Sequence, residues 1–232
     1  MRRTRRDVLG LAAMSITAVT AGCLNRNESG ETPTADGTAT TSPPDGLSRV
    51  DEPPYEIDQP ECGDPTSEDG GRDPLYLCAN MASEPSLSFT QTHSRGNILA
   101  DGGLTFTENS TEDQCYVTVL SDADRLADDA ESEPAQLVRK TDFDSDAVLV
   151  VQTGWGSGSV YPHLERIEAT ESGIHAFGCH SDPCIYTDDL TMRTTAVRFE
   201  RPDSGERAVL SLTVGPDERW NVTAGEGVVT IR

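Results

Sequence analysis

Basic residues are scarce in this chain of 232 residues, where 18 Lys and Arg stand against 40 Asp and Glu for a net charge of −22. Lysine is all but missing, with Lys140 alone. Nucleic acid is excluded as a partner, because phosphates must be met by a basic surface. Long apolar runs are lacking as well: none reaches the roughly 18 residues that a membrane-spanning helix needs. Apolar residues make up 35% of the chain and there are 20 glycines, slightly under ordinary globular usage. That suffices for one packed domain and is too much for a wholly disordered chain.

Complete catalytic and nucleotide-binding motifs are missing too. Gly154-Trp155-Gly156-Ser157-Gly158-Ser159 follows an apolar run. Yet the third glycine of a dinucleotide fingerprint is absent, and no Gly-Lys-Ser/Thr follows. Pro162 arrives before a helix could offer its N-terminus to an anion. The segment reads as a flexible bend. Ser157 does not fit a nucleophile elbow, since Trp155 holds a position that requires glycine. Spacing leaves a dispersed Ser/His/Asp triad open but gives nothing in its favour. The expectation is a protein that is not an enzyme and carries no cofactor.

What is present begins with an address. Met1-Arg2-Arg3-Thr4-Arg5-Arg6-Asp7-Val8-Leu9 leads into a short apolar stretch that ends at Gly22-Cys23. A charged end, an apolar region and small residues at the cleavage point are the order of a secretory signal, predicted over residues 1–22. Arg5 and Arg6, followed by Asp7-Val8-Leu9, fit the twin-arginine export pattern. Thr20-Ala21-Gly22-Cys23 resembles a lipobox, so Cys23 is the expected point of lipid attachment. Export and anchoring to the outer face of the cell membrane follow as expectations.

Removing residues 1–22 takes away four arginines and one aspartate, which leaves 14 bases, 39 acids and a net charge of −25. The acids recur from Glu52 to Glu226, so they form a surface and not a tail. Molar salt shortens the Debye length to about 3 Å and removes most of the self-repulsion of such a surface. Acidic bias, arginine in place of lysine and the export signal together resemble the secreted lipoproteins of extremely halophilic archaea.

Residues 23–60 are rich in Thr, Pro, Gly and acids and poor in aliphatics, which predicts a disordered linker carrying the lipid, of a composition suited to O-glycosylation. N-glycosylation sequons begin at Asn27, Asn109 and Asn221, with Asn109 in a turn-like polar stretch. Residues 61–232 read as one β-rich domain. Candidate strands cover 75–79, 87–92, 104–107, 116–120, 147–152, 161–167, 173–178, 195–200, 208–214 and 227–231. Val148-Leu149-Val150-Val151 is continuous and predicts a central strand buried on both faces. One helix is expected over 122–131, with Ser121 as cap and Leu126 and Ala127 facing inward. The pattern favours a mainly β fold, an antiparallel sandwich or partly open barrel with one short helix.

The middle of the chain carries a second resemblance. Residues 115–120, the predicted helix after Ser121, Phe143-Asp144-Ser145-Asp146-Ala147-Val148-Leu149-Val150-Val151 and the bend Gly154-Trp155-Gly156-Ser157-Gly158 follow a recognisable order. They resemble the β-rich C-terminal domain of PrcB-type protease-complex accessory lipoproteins over about residues 115–200. The resemblance implies a non-enzymatic partner of another exported protein.

The densest cluster of possible ligands is His175, Cys179, His180 and Cys184. Imidazole and thiolate suit zinc or copper, so a metal-binding or thiol-redox module is the alternative function. If residues 176–178 are extended, His175 and Cys179 share a face and His180 points away. The favoured assignment is a Cys179–Cys184 disulfide around a Pro- and Asp-containing turn, no metal being bound. Besides Cys23, five cysteines remain, an odd number that leaves at least one thiol free or paired between chains. Cys62–Cys78 is the simplest second bridge, with Cys78–Cys115 open, and Cys115 fits a small buried hydrophobe. Trp155, Trp220, Tyr161 and Tyr186 are the large anchors, Trp155 being either a contact residue or a plug over the end of a sandwich. The expected role is structural or binding, toward an unidentified surface protein or solute.

Overall fold

Strand β1 spans Phe89–Arg95 and β2 Asp113–Leu120, followed by helix α1 at Glu133–Arg139. Then come β3 at Asp146–Trp155, β4 at Pro162–Thr170, β5 at Gly173–His180 and β6 at Thr191–Glu200. The chain continues with β7 at Arg207–Gly215, β8 at Glu218–Thr223 and β9 at Val228–Ile231. The computed structural model describes residues 61–63, 74–79, 81–82, 87–105, 113–205, 207–216 and 218–231. The expected signal, lipid site and linker, with the sequons at Asn27 and Asn109, lie outside these residues. No helix among the described residues is long and apolar enough to cross a membrane.

The strands form two sheets packed face to face, one ordered β1-β6-β3-β2-β9 and the other β4-β5-β7-β8. This is the mainly β sandwich that the strand pattern predicts, and no barrel closes. The expectation of purely antiparallel sheets is corrected at one place, since β5 and β7 run parallel from Gly173↔Arg207 to Cys179↔Thr213. Between them the chain crosses to the first sheet as β6, so β7 returns in the direction of β5.

Leu149 and Val151 of β3 face Leu164, Ile174, Leu210 and Leu212 of the second sheet across the main core. Val148 and Val150, on the other face, pack beneath Leu137 and Val138 of α1 together with Ile98 and Leu104. The continuous apolar run of β3 is therefore explained: it lies between β6 and β2 and feeds two cores at once. One glycine is dictated by this arrangement. Gly103 has φ +83°, and a Cβ there would stand 2.4 Å from the Gln152 Oε1 that accepts the Leu104 N–H.

Four local expectations are corrected. The helix predicted over 122–131 is irregular, because the Asp122 carboxylate accepts the Asp124 N–H in a local turn that competes with helix. Helix α1 begins instead after Ser132, with Pro134 in its first turn, where a missing N–H costs nothing. Leu126 is still buried, through an isolated bridge to Leu99. The strand predicted over 75–79 is a 3-10 turn at Tyr76–Cys78, whose apolar side chains pack onto Cys179. Leu104 and Thr105 are not in a strand, and 106–107 fall outside the described residues. Strand β8 was not expected. Its Trp220 and Val222 face the main core, while Asn221 and Arg219 bond Ser211 and Thr213 on the other face.

Candidate functional site

The four predicted cysteines are all oxidised, but with different partners. Cys62 bonds Cys184 and Cys78 bonds Cys179, so the expected Cys62–Cys78 and Cys179–Cys184 pairs are both wrong. The reason is strand geometry. Cys179 is in β5 and points to the outer face of the second sheet, where the 3-10 turn lays Cys78 over it. Cys184 belongs to the loop beyond, which meets the incoming chain at Cys62. Cys115 is a free thiol, fully buried between the sheets, and desolvation pushes its pKa up to about 12.

The same geometry overturns the metal alternative. His175, Cys179, His180 and Cys184 do not converge, and no group of three or more His, Cys, Asp or Glu among the described residues could hold a metal. Cys179 and Cys184 are committed to separate disulfides. His175 and Cys179 do share a face, as β5 periodicity predicts, while His180 turns inward. There it meets the rings of Trp155 at 4.9 Å and Trp220 at 5.4 Å, both edge-on. Trp155 and Trp220 touch in turn, so Trp155 plugs this end of the sandwich.

His175 Nε2 lies 2.8 Å from Ser211 Oγ, which donates to Asn221 Oδ1 at 2.8 Å. Sequence spacing left such a grouping open, but its order is not catalytic. In a working triad the imidazole bridges nucleophile and acid; here the serine bridges, and all three side chains are buried. With its hydroxyl proton given to Asn221, Ser211 accepts from His175, so the imidazole is the donor and cannot serve as base. The network satisfies polar groups on the outer face of the second sheet, beside Arg166, which lies over Phe177 and pairs with Glu168 at 2.9 Å.

What stands out chemically is the loop end, where β3 runs into the glycine-rich bend and β5 runs into residues 181–190. The bend cradles no phosphate. Gly158 N–H donates to the Asp189 carboxylate at 3.0 Å, so an anion of the chain itself fills that place. Hydrogen bonds from Thr187, Thr191 and Gly158, with Arg95 at 3.7 Å, hold the Asp189 pKa down at about 2. Ser157 and Ser159 bond the Thr187 hydroxyl, and Ser181 bonds both Tyr161 N–H and Ser159 O. The two loops are thus laced to each other, and Cys184 fastens them to Cys62.

On this fixed frame the apolar side chains face out. Ile185 is 66% exposed, Tyr186 49% and Leu190 39%. Among the described residues they are three of the four large hydrophobics so exposed, and all three fall within one loop. His93 stacks on Tyr161 at 4.0 Å with the rings nearly parallel. Desolvation, then the nearby Arg193 charge, hold the His93 pKa below its ordinary range. The bend is visible in the sequence. Its Asp189 partner, 31 residues away, is not, whereas Ile185-Tyr186 between acidic neighbours is a signal that could have been read.

The sequon at Asn221 is not available. Its side chain is buried in β8 and bonded to Ser211, while a glycan must stand in solvent. Peptide mass analysis of the protein from its native host is expected to find Asn221 unmodified; a glycan there would contradict this packing. Compared with protein-family models, curated proteins and solved structures, the chain matches none.

Proposed function

We propose that this protein is an exported, lipid-anchored recognition module, held at the cell surface through Cys23 and adapted to concentrated salt. Its loop end binds another exported protein, in the manner of an accessory subunit. One observation carries the reading: Ile185, Tyr186 and Leu190 are exposed on loops that a disulfide and several hydrogen bonds hold still. Rigid aromatic and aliphatic anchors give contact area at little entropic cost, as binding hot spots do. Support for export comes from Arg5, Arg6 and the Gly22-Cys23 junction, and two disulfides suit an oxidising compartment. The sequence resemblance of residues 115–200 to PrcB-type accessory lipoproteins, though the helix it included lies later in the chain, favours a protein partner over a solute.

The double variant Ile185→Asp, Tyr186→Ser tests this. Membranes of the native host are solubilised in molar KCl, and the size of the particle carrying the protein is measured by sedimentation. The wild type is expected in an assembly larger than itself. The variant is expected to sediment alone, with its unfolding midpoint within a few degrees of wild type. Equal sedimentation of the two would discard the loop end as the binding surface.

A further inference from the structure

The two ends of the sandwich are filled very differently. The loop end is packed with the rings of Trp155, His180 and Trp220. At the other end, where β5 and β7 begin and β2 and β6 finish, the interior is lined by small residues and a cleft of about 200 Å³ remains. Ala147, Ala224 and Gly225 supply little volume there, and Val119, Ile174 and Phe199 complete an apolar lining. Backbone geometry keeps the cleft open. Gly225 turns the chain between β8 and β9 at φ +91° and donates its N–H to Val117 O at 3.1 Å.

The mouth is basic, against the bias of the chain. Arg201 and Arg207 both line it, while the described acids in or next to the same connections, Glu200, Asp203 and Glu226, are exposed and do not. Arg201 is held in place by Nη2, which donates to Phe143 O at 2.9 Å, Asp146 O at 3.2 Å and Ser121 O at 3.4 Å. Among the described residues, Nε and Nη1 of Arg201 have no partner. The Arg207 guanidinium makes no hydrogen bond or ion pair among the described residues, and it is exposed. Two arginines lining one apolar slot offer a carboxylate positive charge and N–H donors, and direct contact survives salt that screens longer-range attraction. A dry cavity of about 150 Å³ already admits benzene, so this one has room for a chain of a few carbons or one ring.

We infer that the cleft is a binding site for a small apolar monocarboxylate, its tail between the sheets and its carboxylate on Arg207 and Arg201. The site is separate from the loop end and does not depend on what that end binds.

The test is calorimetric titration of the mature chain in molar KCl with hexanoate, and with hexylammonium as a probe of equal tail and opposite charge. Hexanoate is expected to bind saturably, in the millimolar range or tighter, and hexylammonium about tenfold more weakly or not at all. Arg207→Glu is expected to weaken hexanoate about tenfold or more while leaving the unliganded unfolding midpoint unchanged. Ala224→Phe, which fills the slot, is expected to abolish binding. The inference falls if hexanoate fails to saturate at tens of millimolar. It also falls if hexylammonium binds as well as hexanoate, or if Arg207→Glu leaves the affinity intact. The pair of probes decides the question on the wild type alone, whether or not a variant folds.

Discussion

Replacing either disulfide by serines is expected to lower the unfolding free energy by about 3 kcal/mol, and replacing both by about 8. The asymmetry follows from how the bridges are nested. Cys62–Cys184 spans 122 residues and encloses Cys78–Cys179, which spans 101. While one bridge holds, the other closes only the short segments between them, a loop of about 20 residues worth roughly 3 kcal/mol in the chain-entropy account. Once one is gone, the survivor restrains the whole span, and its loss costs nearly 5 kcal/mol. Denaturant unfolding of the two double-serine variants and the quadruple variant, at one fixed salt concentration, measures this. Simple additivity would mean that the bridges do not share a loop in the unfolded chain. Losing Cys78–Cys179 has a local effect too. The 3-10 turn and its Tyr76 and Leu77 then cover the second sheet by packing alone, and solvent reaches Phe177 and the His175–Ser211 pair more readily.

His180 is expected to make the fold acid-sensitive well above the range of its carboxylates. Its ring is fully buried between two tryptophans, and neither nitrogen has a hydrogen-bond partner among the described residues. Desolvation drops its pKa from 6.5 to about 3. The native state therefore keeps the ring neutral while the unfolded chain takes up a proton near pH 6.5. Stability from this group is fully present above that pH and is lost toward pH 3, at up to about 1.4 kcal/mol per pH unit. The total is on the order of 4 to 5 kcal/mol at the acid end. His93 and His163, whose pKa values are also lowered, add in the same direction. In His180→Phe, the slope of stability against pH between 6 and 4 should fall by close to one proton, with stability at pH 8 kept or raised. An unchanged slope would mean that the ring takes its proton without unfolding the protein. Asp189, held at about 2, loses its own contribution as pH falls through its ordinary 3.8, equally in wild type and His180→Phe, so comparing the two isolates the ring.

Hydrophobic periodicity made most of the strands legible, because a half-buried strand writes its burial into alternate residues. Val148 to Val151 reads as central because both faces of β3 are covered. Where the reading failed, a contact distant in sequence decided the structure. Leu75 to Cys78 has the composition of a strand, yet it serves as a lid because Cys179 draws it onto the sheet. Strand β8 was hidden because its outward residues, Arg219 and Asn221, are polar but paired, and polarity alone reads as loop. The helix was displaced by one acidic segment: Ser121 does not cap a helix, and Pro134 marks the true start. Cysteine pairing was closed to inspection, since proximity in sequence says little about which thiols a sandwich brings together. At the loop end the glycine bend was visible, but the aspartate that fills it was not.

The unpaired Cys115 gives the molecule a built-in clock. Its thiol is sealed between the sheets and held in the protonated form. No alkylating reagent reaches it until β2 separates from the second sheet, and the four other cysteines of the domain are silent as long as their bridges hold. The rate at which a small thiol reagent marks this position therefore counts whole-domain openings one by one, in brine and without denaturant.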